Sequence, residues 1–228
     1  LETIMKTLST SLRTLAAAAA LFAAGSASAV TVAWTDWTAF GGTSASGSMG
    51  GVGVSVSATA AMNGVSQIGG PCTDYWTQPN PADPAYTGGT VVNRPVACEQ
   101  LGLNSANRIT VNFAQPIHTL YMALLSVGQP GLAVTYTYDQ AFTIDSEGQG
   151  YWGNDATDGI LGPGNSLTMR EFHGVLRFTG PVSSLTFSSS AENWHAFTFG
   201  SAIPEPGSLA LAGLALLAAG AAARRRRD

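Results

Sequence analysis

Between residues 30 and 202 the apolar positions recur every second residue. Val30, Val32 and Trp34 alternate with Thr31, Ala33 and Thr35, and Val52, Val54 and Val56 alternate with glycine and serine. Ile109, Val111 and Phe113 repeat the pattern, as do Leu132, Val134, Tyr136 and Tyr138. A period of two puts successive side chains on opposite faces of an extended chain, so one face meets a core and the other meets water. The runs are short, rich in β-branched and aromatic residues, and separated by Gly, Pro, Asn and Asp, as antiparallel strands and their turns are. No stretch carries a convincing helical period, and residues 99–106 make at most one helical turn. The expected fold is all-β: an antiparallel two-sheet sandwich, jelly-roll-like, of about nine or ten strands.

A weak internal repeat adds detail. Residues 113–122 (FAQPIHTLYM) and 178–187 (FTGPVSSLTF) align at a constant offset of 65. Each copy sets a proline between two strand-like runs, and proline cannot donate to a β ladder, so it belongs in a connection or on an edge. The copies are expected to be two equivalent hairpins or two sheet-crossing corners.

Two stretches break the period and are expected as long loops. Residues 63–97 hold Pro71, Pro79, Pro81, Pro84 and Pro95 with Tyr75, Trp76 and Tyr86, and residues 145–165 are rich in glycine and acid. Long loops inside compact domains are often functional. Cys72 and Cys98, the two cysteines of the chain, lie at either end of the first stretch. A disulfide between them would tie its base in an oxidising compartment.

The ends of the chain read as targeting segments around one folded domain. Lys6 and Arg13 precede an apolar segment, residues 15–24, and Ala27-Ser28-Ala29 supplies small residues for cleavage. This is a secretory signal over residues 1–29, with the start expected at Met5 and cleavage by signal peptidase after Ala29, following passage through the general export machinery. At the other end stand Pro204, Glu205 and Pro206, an uncharged stretch over 207–223, then Arg224, Arg225, Arg226 and Arg227. The apolar part, 209–223, spans about 22 Å as a helix. Gly207, Ser208 and snorkelling arginines bring it close to a single membrane span in the precursor, and the arginines hold its end in the cytoplasm.

Those C-terminal residues resemble the PEP-CTERM sorting signal: the Pro204-Glu205-Pro206 group, the Leu/Ala/Gly segment and the arginine cluster occur in the right order. The resemblance covers residues 203–228. It implies processing by an exosortase, a membrane transpeptidase-like enzyme of Gram-negative bacteria that make exopolysaccharide. The anchor is then temporary, the mature form ends near 204–206, and the arginines stay with the discarded segment. The implied destination is the cell surface or extracellular matrix, in association with exopolysaccharide or biofilm.

Charge limits what the body, residues 30–202, can bind. It has four arginines, no lysine and eleven acidic residues, a net charge of −7 with histidine neutral. A body that acidic is a poor partner for nucleic acid but leaves room for a cation. Asp145, Glu147, Asn154, Asp155 and Asp158 supply hard oxygens for Ca2+. Their spacing is not that of an EF-hand, and a solvated Asp/Asn/Gly turn accounts for the same residues with no cofactor. For sugar stacking the candidates are the loop pairs Tyr75, Trp76 and Tyr151, Trp152, while Trp34, Trp37 and Trp194 sit in strand-like runs and are expected in the core. His118, His173 and His195 also fall in strand-like segments. Glu171 alternates onto the face of His173, and Glu192 lies near His195. No nucleophile elbow, zinc-protease helix or phosphate loop occurs. The expectation is therefore a surface or matrix protein without catalysis, the alternatives being a carbohydrate-binding module and a secreted polysaccharide-active enzyme.

Overall fold

The computed structural model describes residues 29–62, 66–153 and 159–203. Ala27, Asn154, Asp155, Asp158, Pro204, Glu205, Pro206, the 207–223 segment and Arg224, Arg225, Arg226 and Arg227 lie outside the described residues.

Twelve strands form among the described residues, every named pairing is antiparallel, and no helix occurs there. They are β1 Val32–Trp34, β2 Asp36–Phe40, β3 Ser44–Met49, β4 Val52–Ala58, β5 Leu101–Leu103, β6 Asn107–Val127, β7 Val134–Tyr138, β8 Thr143–Glu147, β9 Gly159–Gly162, β10 Ser166–Met169, β11 Phe172–Ser189 and β12 His195–Ala202. Residues 101–103 thus pair as a strand where a helical turn was the most the sequence offered. The second expected loop is shorter than 145–165, because residues 145–147 complete β8 and residues 159–162 form β9.

One layer runs β2-β3-β4-β6-β11-β7-β10-β9. The other is built on β12, which pairs with β1, β5 and β6, and on β8, which pairs with β11. Two long strands belong to both. β6 pairs with β4 over Ile109–Phe113 and with β12 over Leu120–Leu125. β11 pairs with β8 in its first half and with β7 at its end. Register shifts at Thr179/Val182 and Val182/Ser184 mark the bend, where Pro181 sits opposite the Pro116 region. Of the two arrangements open to the internal repeat, the structure adopts sheet-crossing corners. The copies lie side by side and antiparallel, Leu120 facing Phe178 and Val111 facing Leu185. Proline is tolerated here because the bulge already interrupts the ladder.

The layers face each other in a sandwich-like arrangement around the main core. Val54 and Val56 of β4, Ile109 and Val111 of β6, Tyr136 of β7, Phe187 of β11 and Phe197 and Phe199 of β12 fill it. Trp37 closes one side, its Nε1–H donating to Thr198 Oγ1 at 3.1 Å. In the first half of β6 burial alternates, but from Leu120 to Val127 every residue is buried. The second layer is covered on both faces. Leu120, Met122 and Leu124 point into the main core, whereas Tyr121, Ala123 and Leu125 join a second core with Trp34, Trp76, Tyr86, Val91 and Val175. The stretch that covers this outer face is the proline-rich 66–100 segment, closed by the Cys72–Cys98 disulfide with Cα atoms 5.6 Å apart.

Glu99 fastens the base of that cover. Its carboxylate accepts the Trp37 N–H at 2.6 Å and the Gly69 N–H at 3.3 Å. Burial raises its pKa above the ordinary 4.5, against the opposing pull of those two donors, and the Asp36 carboxylate adds to the rise. A raised carboxyl binds its proton more tightly in the folded chain than in the unfolded one. Stability therefore falls as pH climbs from 4.5 through the raised value. Glu99→Gln is expected to flatten that part of a plot of urea midpoint against pH, and an unchanged slope would assign the dependence to other groups.

Candidate functional site

The two long loops meet over the second layer and bring four aromatic rings together. Tyr75 comes from the covering segment, Tyr151 and Trp152 from the turn after β8, and Trp194 from the residue before β12. The Tyr75 ring stacks on Trp152 at 5.0 Å and 25°, and meets Tyr151 edge-on at 5.0 Å. Trp194 lies 5.5 Å from Tyr75 and 5.6 Å from Trp152. Tyr151 and Trp152 remain 43% and 48% exposed, so they form the solvent side of the cluster. Of the four residues expected to stack on sugar, three are gathered here. Trp76 is not: it is fully buried, packed edge-on against Tyr86 at 5.2 Å. Its place is taken by Trp194, which the sequence put with the core tryptophans. Trp34 and Trp37 are buried as expected.

Local chemistry fixes each ring. Asp74 accepts the Trp76 N–H at 3.2 Å, which turns the chain at Tyr75, and Arg94 pairs with the same carboxylate at 2.7 Å. The Gln67 amide exchanges two hydrogen bonds with the backbone of Thr73. On the other loop the Gln149 N–H donates to Asp83 O at 3.0 Å, which links the two loops through their backbones. Gly150 lies flat against the His173 ring. A Cβ there would come within 2.1 Å of Nδ1, so only glycine permits the approach.

A buried polar network supports the patch from beneath. His173 Nδ1 accepts from the Ser126 N–H at 3.3 Å and stands 3.1 Å from the Tyr86 hydroxyl. A backbone donor at Nδ1 leaves the ring proton on Nε2, which faces Glu171 Oε1 at 3.4 Å. That same oxygen accepts the Ser126 hydroxyl. Burial, with the Asp74 and Glu171 carboxylates behind it, raises the Tyr86 hydroxyl well above its ordinary value and keeps it a donor. Ser126 and Glu171 both hold left-handed backbone, φ 54° and 57°, at a cost of about 1–3 kcal/mol each for residues other than glycine. Two residues on, Gly128 N–H donates to Glu192, which pairs with the buried His195. Both Glu/His pairs suggested by the sequence are thus formed, and both grip the turn at 126–128.

The candidate calcium ligands are placed differently. The Asp145 carboxylate accepts Thr90 Oγ1–H at 2.6 Å and Thr90 N–H at 2.9 Å, so it ties the covering segment down. Glu147 lies at the end of β8 beside Gly159. Among the described residues no group of three or more His, Cys, Asp or Glu side chains is arranged to hold a metal ion.

No curated protein and no solved structure matches the chain. The family model for the PEP-CTERM protein-sorting motif matches residues 202–227. That motif indicates a secreted protein whose C-terminal membrane-anchoring signal is cleaved. The match begins on the last residue of β12, so the folded body runs directly into it. The chain therefore carries a PEP-CTERM sorting motif, and with it the exosortase-dependent sorting of an exported protein.

Proposed function

We propose that this is a surface or extracellular-matrix protein that, once processed, associates with exopolysaccharide through the aromatic patch and performs no catalysis. The sorting motif carries the reading, and the position of the patch supports it. Trp194 precedes β12 and Ala202 ends it, so the patch and the anchored end are separated by the eight-residue length of that strand, about 25 Å. While one end is held at the membrane, Tyr151 and Trp152 are presented toward the other. The absence of lysine from residues 30–202 and the many exposed Ser and Thr side chains there suit contact with a hydrated, uncharged or weakly charged polymer better than with an acidic one. The Glu171/His173 and Glu192/His195 pairs act on this reading as supports for the 126–128 turn.

Two measurements test it. Mass spectrometry of the protein from cells with and without the exosortase should find a C-terminus near residues 204–206 only in the former. The processed protein should then sediment with the host polysaccharide, and Trp152→Ala should weaken that binding at least tenfold, because burying an indole face against a sugar ring contributes about 1.4 kcal/mol or more. Binding that is indifferent to Trp152→Ala and Tyr151→Ala would remove the patch from the proposal. Turnover of the polysaccharide would favour a polysaccharide-active enzyme.

A further inference from the structure

The body and its sorting signal are joined without a linker. Ala202 is still paired with Val32, and the Ile203 N–H donates to Thr31 O at 2.9 Å. The first mature residues are tied at the same place: Val30 N–H donates to Thr90 O at 2.8 Å and Val30 O accepts the Val92 N–H at 3.0 Å. Signal-peptide junction and sorting junction therefore leave one pole of the body side by side. Beside the exit of Ala202 lies a cleft of about 330 Å³, lined by Val52, Pro116, Ile117, His118, Ser201 and Ala202 among others.

Chain length makes this pole an interface. From Ile203 to Leu209, where the apolar run begins, there are six residue steps, at most about 22 Å even when fully extended. The headgroup layer takes about 5–8 Å of that. What remains, about 15 Å, admits little more than one helix, which is about 10–12 Å across with its side chains. An enzyme that cuts within this gap cannot avoid touching the body. None of the residues lining the cleft is acidic, so a carboxylate placed there is foreign to it.

We propose that the cleft at this pole is a docking surface for the membrane-embedded sorting enzyme, which reads the folded end of the body together with the motif. This rests on the sorting reading, and the test separates the two. In cells that contain the enzyme, full-length precursor carrying His118→Glu and Thr119→Glu is expected to mature about tenfold more slowly than wild type. A Ser57→Glu control on the other layer should mature normally. A twelve-residue Gly/Ser insertion between Ile203 and Pro204 should slow the otherwise wild-type precursor to about the rate of the double variant, because the folded end is no longer held beside the motif. A photoreactive residue at position 118 should cross-link to the enzyme. Maturation unaffected by the two carboxylates, an insertion that leaves the wild-type rate unchanged, or cross-links to lipid alone would overturn the docking surface. If even wild-type precursor is not cut in the presence of the enzyme, the sorting reading itself fails.

Discussion

Trp76→Ala is expected to cost about 4 kcal/mol of stability, whereas Trp152→Ala costs under about 1 kcal/mol. The two tryptophans look alike in sequence, each following a tyrosine in a glycine- or proline-rich stretch. Their surroundings are opposite. Trp76 is fully buried in the second core with Tyr86, Tyr121, Ala123, Leu125 and Val175, so truncation leaves a cavity that the rigid layer beneath cannot collapse to fill. Trp152 is about half exposed and rests on rings that stay in place without it. For a domain of this size the first loss lowers the melting temperature by roughly 10 °C. Trp76→Phe should cost much less than alanine. The ring is kept, and the indole N–H, which has no hydrogen-bond partner among the described residues, is removed. Thermal denaturation of the three variants checks this. Equal losses at positions 76 and 152 would mean that the covering segment is not a structural part of the body.

That contrast marks where the sequence stops being legible. Strands with one wet face announce themselves, because alternation is a local property. Val54 and Val56, Ile109 and Val111, and Tyr136 and Tyr138 are buried as their period requires. The offset repeat was readable for the same reason, but the choice between hairpin and corner was not, since it depends on whether the chain reverses or bends at the proline. The run from Leu120 to Val127 has no period because both faces are covered, and what covers it lies more than twenty residues away in sequence. A loop aromatic is a core residue if the loop lies over a sheet and a surface residue if it does not. Trp76 is therefore core where a loop residue was expected, and Trp194, expected in the core, is partly buried, packing against the second core while also joining the ring cluster. The Glu171/His173 and Glu192/His195 pairings were visible as short spacings. Their shared anchor at 126–128 was not, because Ser126 and Gly128 lie at and just past the end of β6, 45 and 64 residues away from the glutamates they bind. The sorting signal was legible because it is linear: a motif of adjacent residues needs no tertiary fold to be read.

Replacing both Cys72 and Cys98 by serine is expected to lower the unfolding free energy by about 3 kcal/mol without detaching the covering segment. The bond closes residues 26 apart in sequence, and its loss enlarges the set of unfolded conformations by that loop. In the folded state the segment has other attachments. Thr90 is held by both carboxylate oxygens of Asp145, the Asn93 side chain exchanges hydrogen bonds with Val32 N–H and O at 2.7 and 2.8 Å, and Trp34 Nε1–H donates to Asn93 O at 2.9 Å. Trp76 and Tyr86 add a buried apolar contact, and Glu99 binds the base to Trp37 N–H whether or not the neighbouring thiol is oxidised. The loss should therefore appear as a lower urea midpoint with the same tryptophan emission maximum in the absence of denaturant. A red-shifted native spectrum, or amide exchange accelerated in residues 72–98 alone, would show instead that the bond holds the cover in place. The second core would then be open in any reducing compartment. The double-serine variant and the reduced wild type should agree, since both act on the same loop.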